Sequence, residues 1–320
     1  MQKFRLSTAV LAVSLVPLTA ATPHPAHASC SATFCSVNTQ AETQGIWTEP
    51  GLRLSLRYEY INQDQLRTGA KKAEPTGLTG TEDELRTLNR NIQTGLDYSL
   101  SRNWSVSAQV PVAQRDHRHV HNNAPPEYEI WNIASLGDIR LSGRYQKALS
   151  SDDTVGIQFG LKLPTGKFDE TNDLGLLAER SLQPGSGTTD TLLGIYSYHR
   201  LAGATTTLFV QGLWQRPVDG RDDYKPGQQL SLDTGLRYTL TRNLNAQLQL
   251  NLLWKDRDRG LNAEADDSGG RSVFLSPGAS YALTTVVQLY GFVQLPLYQY
   301  VNGTQLTADW SAVAGISWRL

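Results

Sequence analysis

An all-β fold is predicted for this chain: a transmembrane up-and-down antiparallel β-barrel of about 12 strands with both termini periplasmic. Three observations predict it. Apolar residues recur at every second place in segment after segment, the period of a strand with one apolar face. The connections alternate between short polar turns and long loops. Aromatic residues gather at the segment ends, while the midsections are left to Leu, Val, Ile and Ala.

The elements before the barrel set the compartment. Residues 1–28 carry Lys3 and Arg5, an apolar run from Ala9 to Leu18, and Ala26-His27-Ala28 as a small-x-small cleavage site. This is the pattern of a secretory signal peptide, because the run is too short to span a bilayer as a helix. Residues 29–50 are expected to form a periplasmic N-terminal segment holding Cys30 and Cys35, the only cysteines. Export to an oxidising compartment makes a local disulfide between them the expectation.

The barrel is expected over 51–320. In "GLRLSLRYEY", Leu52, Leu54, Leu56, Tyr58 and Tyr60 share one face, opposite Arg53, Ser55, Arg57 and Glu59. "NIQTGLDYSL", "WSVSAQVPV", "DIRLSGRYQ" and "TVGIQFGLKL" repeat the alternation, and the segments near 191–200 and 205–215 follow it more roughly. "LSLDTGLRYTL" and "LNAQLQLNLLW" are the clearest, and "VFLSPGASYAL", "VVQLYGFVQLPL" and "AVAGISWRL" complete the set. Each is near the ~9–11 residues that a tilted strand needs to cross hydrocarbon. Short turns such as Ser101-Arg102-Asn103 and Thr241-Arg242-Asn243 belong on the periplasmic side. The long connections at 63–85, 116–135, 165–189, 217–227, 256–271 and 299–306 then lie outside the cell.

A secreted β-sandwich also alternates, but it has no reason to sort its aromatics. Here Tyr58, Tyr60, Trp214, Trp254, Tyr298 and Trp310 fall at the outer ends. Tyr98, Trp104, Tyr145, Tyr238, Tyr281 and Trp318 fall at the inner ends. Two belts around an aliphatic band match the two interfaces of a bilayer. The alternation runs to the last residue, and Gly315, Trp318 and Leu320 resemble the C-terminal signal of bacterial outer-membrane proteins. That resemblance implies recognition by the barrel-insertion machinery. The strand itself is expected to close the barrel, since an open edge in lipid leaves backbone groups unpaired.

"SLGDIRLSGRYQ", "GLKLPTGKFD" and "LQPGSGTTDTLLGIYSY" resemble the outer-membrane transporter family named for the meta-pathway of phenol degradation. The matching residues are Gly137-Asp138, Leu163-Pro164-Thr165-Gly166, and Gly185-Ser186-Gly187 with Asp190. They cover roughly the middle third of the chain. The resemblance implies a barrel and the passage of small molecules through the outer membrane of a Gram-negative cell.

Charge and motifs narrow the function. A net charge of −1 argues against a nucleic-acid partner. Outer-membrane lipid, the insertion machinery and a small-molecule solute remain as partners. The inward face predicts a polar solute pathway through Arg53, Arg57, Glu59 and Asp97. Asp138, Arg140, Arg144, Asp233 and Arg237 continue it. Barrels of 8 strands are filled by side chains and those of 16 leave a channel, so a narrow or gated pore and a plugged one both stand. No Ser–His spacing suits a hydrolase, and paired carboxylates such as Asp152-Asp153 and Asp222-Asp223 sit in turns and loops, so no enzyme is expected.

One motif is left over. His117, His119 and His121 in "RDHRHVHNN" lie two apart, which places their imidazoles on one side of a strand. A divalent transition metal is the cofactor this admits, with Asp116 or Glu127 as a further ligand. The alternatives to a channel are therefore a metal-binding outer-membrane protein or a structural, adhesive barrel acting through its loops.

Overall fold

The computed structural model describes residues 37–40, 50–201 and 205–320, and the backbone pairing of 29–30. The expected signal peptide and Cys35, and with it the expected disulfide, lie outside the described residues.

The strands are β1 (Ser29–Cys30), β2 (Gly51–Gly69), β3 (Lys71–Lys72), β4 (Glu82–Ser99), β5 (Trp104–His121), β6 (Glu127–Leu136) and β7 (Arg140–Ala148). They continue as β8 (Asp153–Lys162), β9 (Asp190–Arg200), β10 (Thr206–Pro217), β11 (Gln229–Thr239), β12 (Leu244–Lys255), β13 (Gly270–Ala282) and β14 (Val287–Arg319). From β2 to β14 they form an antiparallel sheet in chain order, and β14 pairs with β2 to close it.

Two details set the strand number. β6 and β7 share one place in the ring, because β6 pairs with residues 112–121 of β5 and β7 with residues 104–109. β14 doubles back at Asn302-Gly303, where Gly303 has φ +56°. Its first part pairs with β13 and its second with β2, and the Arg319 amide donates to the Val286 carbonyl at 2.8 Å. Fourteen strands, less the short β1 and β3, with β6–β7 counted once and β14 twice, give twelve crossings. An all-β closed barrel is the fold.

The barrel is inside-out relative to a water-soluble protein. Leu54, Leu56, Tyr58, Ile92 and Leu96 are exposed on the outer face, whereas Glu59, Asn91 and Gln249 are 0 % exposed. A continuous apolar exterior of this extent needs a nonaqueous neighbour, and the bilayer supplies it. Aromatics mark both rims: Tyr60 stacks on Trp310 at 5.4 Å, and Trp104 meets Tyr145 at 4.9 Å. Closure reaches the last residue, as Trp318 lies opposite Leu54 and the Leu320 amide donates to the Leu52 carbonyl at 2.9 Å.

Two expectations are corrected here. Much of 63–85 and 116–135, expected as loops, is strand: β2 runs to Gly69, β4 begins at Glu82, β5 runs to His121 and β6 begins at Glu127. Outward places such as Asp64, Asp116 and Arg118 are polar because these stretches rise past the hydrocarbon, where alternation no longer has to be apolar. The second correction concerns the segment expected in the periplasm. Val37 and Asn38 are buried inside the barrel, and the Ser29–Cys30 backbone runs parallel to Gln305–Leu306.

Candidate functional site: the lumen

The inward polar side chains enclose a cavity of about 400 Å³. Of the predicted pathway residues, Arg53, Arg57, Asp97, Asp138, Arg140, Arg144 and Asp233 line it. Glu59 and Arg237 do not. Glu59 is sealed in the wall by Arg57 at 2.7 Å and Asn91 at 3.2 Å, and Arg237 donates to Thr207 Oγ1 at 2.9 Å. Arg53 pairs with Asp97 at 3.3 Å. Arg144 lies 4.1 Å over the Tyr196 ring and reaches the Tyr198 hydroxyl at 3.4 Å. The wall is therefore preorganised, its long cationic side chains held by neighbours.

Two pieces of the chain enter this lumen. The first is the N-terminal segment. The Asn38 amide donates to Gln249 Oε1 at 3.0 Å while Gln249 Nε2 donates back to the Asn38 carbonyl at 2.9 Å, a side chain imitating one rung of a ladder. Asn38 Nδ2 reaches Gln211 at 2.9 Å, Gln40 Nε2 reaches Gln158 at 3.1 Å, and Arg57 donates to Thr39 Oγ1 at 2.5 Å. Strands β2, β8, β10 and β12 are thereby bridged across the pore. Val37 seats among Tyr290, Phe292 and Val313, an apolar patch on the inner wall.

The second piece is the outer loop 163–189, and the residues that carry the family resemblance hold it. Asp138, in the break between β6 and β7, accepts from the Gly166 amide at 3.0 Å, the Ser186 amide at 2.9 Å and Lys162 Nζ at 2.7 Å. Lys162 also meets Asp190 at 3.4 Å and the Thr188 carbonyl at 3.0 Å. Gly137, Gly166 and Gly185 stack backbone on backbone: a Cβ at Gly166 would lie 2.7 Å from Gly137 C and 2.8 Å from Gly185 Cα. Further along, Arg115 is 1 % exposed and donates to the Leu182 and Gln183 carbonyls at 2.5 and 2.7 Å. Leu182 and Ala178 pack on Trp131 and Ile133 of β6.

Neighbouring loops complete the mouth. Arg180 lies over the Phe168 and Tyr224 rings at 4.9 and 4.6 Å, and Tyr224 donates to Asp258 at 3.1 Å. Burial, then the charge of Asp258, holds the Tyr224 hydroxyl well above its ordinary pKa. Glu179 and Glu264 are hydrogen-bonded to each other. Burial followed by the charges of Glu264 and Glu84 raises the Glu179 carboxyl well above its usual range, and burial pushes Glu264 up to about 7.

The three histidines separate in the structure. His117 and His119 are buried at 1 % and 6 % exposure with Glu84 beside them, a residue the sequence reading left in a loop. His121 instead pairs with Glu82 at 2.8 Å and Glu129 at 3.0 Å. Asp116 points the other way and pairs with Arg90, so the further carboxylate in this cluster is Glu84 and not Asp116.

The family model described as "Putative MetA-pathway of phenol degradation" matches residues 127–308, more than half of the chain. The chain belongs to that family. Within the matched span lie the phenol-degradation family motifs that converge on Asp138. The COG4313 outer membrane channel from Pseudomonas putida F1 shares the fold, with TM-score 0.65 and 14 % identity over 85 % of this chain and 96 % of that one. The Ralstonia pickettii toluene transporter TbuX gives TM-score 0.44 and 9 % identity over 85 % and 90 % of the two chains. No curated protein matches this family member.

Proposed function

We propose that this protein is an outer-membrane channel that passes a small polar or anionic solute, its pore narrowed by its own N-terminal segment and the 163–189 loop. The observation that carries this is the charge of the cavity. Eight Lys and Arg side chains line it against four Asp, so the lining is +4 in a chain whose net charge is −1. A low-dielectric wall around such a lining concentrates anions. The family's membership and the channel that shares its fold support passage rather than catalysis. Residues 1–28, read as a signal peptide, export the chain on its way to the outer membrane.

Planar-bilayer recording tests this. Wild type is expected to conduct weakly, with a reversal potential in a salt gradient on the anion side. Asn38→Ala with Gln249→Ala removes the two-way amide bridge and is expected to raise conductance several-fold. Arg140→Ala with Arg144→Ala is expected to move the reversal potential toward zero. Silence from wild type and the Asn38/Gln249 variant alike would overturn the channel reading.

A further inference from the structure

We propose that Glu84, His117 and His119 form a buried binding site for a divalent transition metal, best suited to zinc, at the outer end of the β4–β5 wall. The three ligand atoms lie within 4.8 Å of one another. The His119 Nε2 to Glu84 Oε1 distance is 3.5 Å and the His117 Nε2 to Glu84 Oε1 distance is 3.8 Å. Glu179 Oε1 from the 163–189 loop stands 3.4 Å from His119 Nε2, beside the group of three. Four ligands at the ~2.0–2.1 Å bond lengths of a tetrahedral zinc stand about 3.3 Å apart.

A comparison within the same strand shows why these are not ordinary ion pairs. His121 meets its two carboxylates at 2.8 and 3.0 Å, the distance of direct contact. His117 and His119 stand back at 3.4 to 3.8 Å, the spacing of groups that share a third atom. Burial sharpens the contrast. Glu84 is 2 % exposed, and apart from the approach of the Leu306 backbone no protein hydrogen bond reaches its carboxylate oxygens. His117 Nε2 is buried without a hydrogen bond as well.

The surroundings are those of a ligand shell. Thr87 Oγ1 contacts His117 Nδ1 at 2.6 Å, which fixes the ring and turns Nε2 inward. Trp131 holds both rings, 5.8 Å from His117 and 5.3 Å from His119. The charges acting on Glu84 are those of Glu264 and Asp267, and those on Glu179 come from Glu264 and Glu84. Carboxylates that repel one another in a buried space are what a divalent cation neutralises. Bound there, the cation would lie beside Glu179 of the 163–189 loop.

The test is zinc titration of the chelator-treated full-length barrel in detergent, in competition with a chromophoric chelator. One zinc per chain is expected. Glu84→Gln and His117→Gln are each expected to weaken it at least tenfold, while His121→Ala leaves it unchanged. Equal binding by all four proteins, or a loss in His121→Ala as large as in His117→Gln, would overturn the site. Heat-modifiable gel migration shows whether each variant is folded. Should the buried variants not fold, wild type alone decides: Co²⁺ is expected to give the intense visible bands of tetrahedral coordination, and the pale spectrum of octahedral or unbound Co²⁺ would end the proposal.

Discussion

Asp138→Ala is expected to lower the unfolding free energy by about 3–5 kcal/mol, the range for removing one partner of a buried ion pair. Asp138 and Lys162 are 8 % and 5 % exposed and meet at 2.7 Å. Without the carboxylate, Lys162 keeps Asp190, at 3.4 Å, as its one ionic partner among the described residues, and the Gly166 and Ser186 amides lose their acceptor. The loop is held by this carboxylate from three directions, so its loss is also expected to expose 163–189 to protease. Urea titration of vesicle-inserted protein, followed by tryptophan fluorescence, measures the first effect. A change below about 0.5 kcal/mol, the scatter expected of ordinary surface substitutions, would show that the loop is held elsewhere.

Arg115→Met is the second. Methionine fills much of the same volume but donates nothing, so the Leu182 and Gln183 carbonyls lose their bonds to the guanidinium. At about 1–3 kcal/mol for each of the two buried groups left unsatisfied, a loss of about 2–6 kcal/mol is expected, less whatever water recovers by entering. The two variants act on different parts of one loop. Asp138 holds its beginning and its return at Gly166 and Ser186, and Arg115 holds the turn between. Combined, they are expected to cost less than the sum, because a loop already freed at one anchor has less to lose at the other. Additivity within about 0.3–0.5 kcal/mol would indicate two independent anchors.

The crossing strands were legible because hydrocarbon enforces their pattern. Leu54, Leu56 and Tyr58 face lipid, so no polar residue is tolerated there and the period of two is clean. Above the bilayer that constraint ends. Gln63, Gln65 and Arg67 continue β2 without any apolar face to mark it, and the sequence there reads as loop. Glu84 was missed for the same reason. It lies opposite His119 in the β4–β5 ladder, a partnership visible only once 82–86 is known to be strand and the bulge between Glu84 and Arg86 is placed.

The lumen was legible as a surface and illegible as a filled space. Parity alone turns Arg53, Asp97 and Arg144 inward, and they line the cavity. What enters the pore is decided by contacts between distant positions. Asn38 finds Gln211 and Gln249, 173 and 211 residues away, and nothing local in "SVNTQ" distinguishes a plug from a linker. Aligning the family motifs in sequence gives no hint that Asp138, Gly166 and Ser186 meet at one carboxylate, since the break between β6 and β7 is what turns Asp138 toward them.

The glycine stack has a consequence for how this protein can change over generations. A clash between two side chains can be relieved by a second mutation that trims the neighbour. At Gly166 and Gly185 the neighbour that an added methyl would strike is another glycine's backbone, and nothing is smaller. A methyl group gained at either of these two therefore has no suppressor at the glycines it strikes. The routes back are reversion or a shift of the whole loop, which ties the inheritance of these two positions to the inheritance of the loop itself.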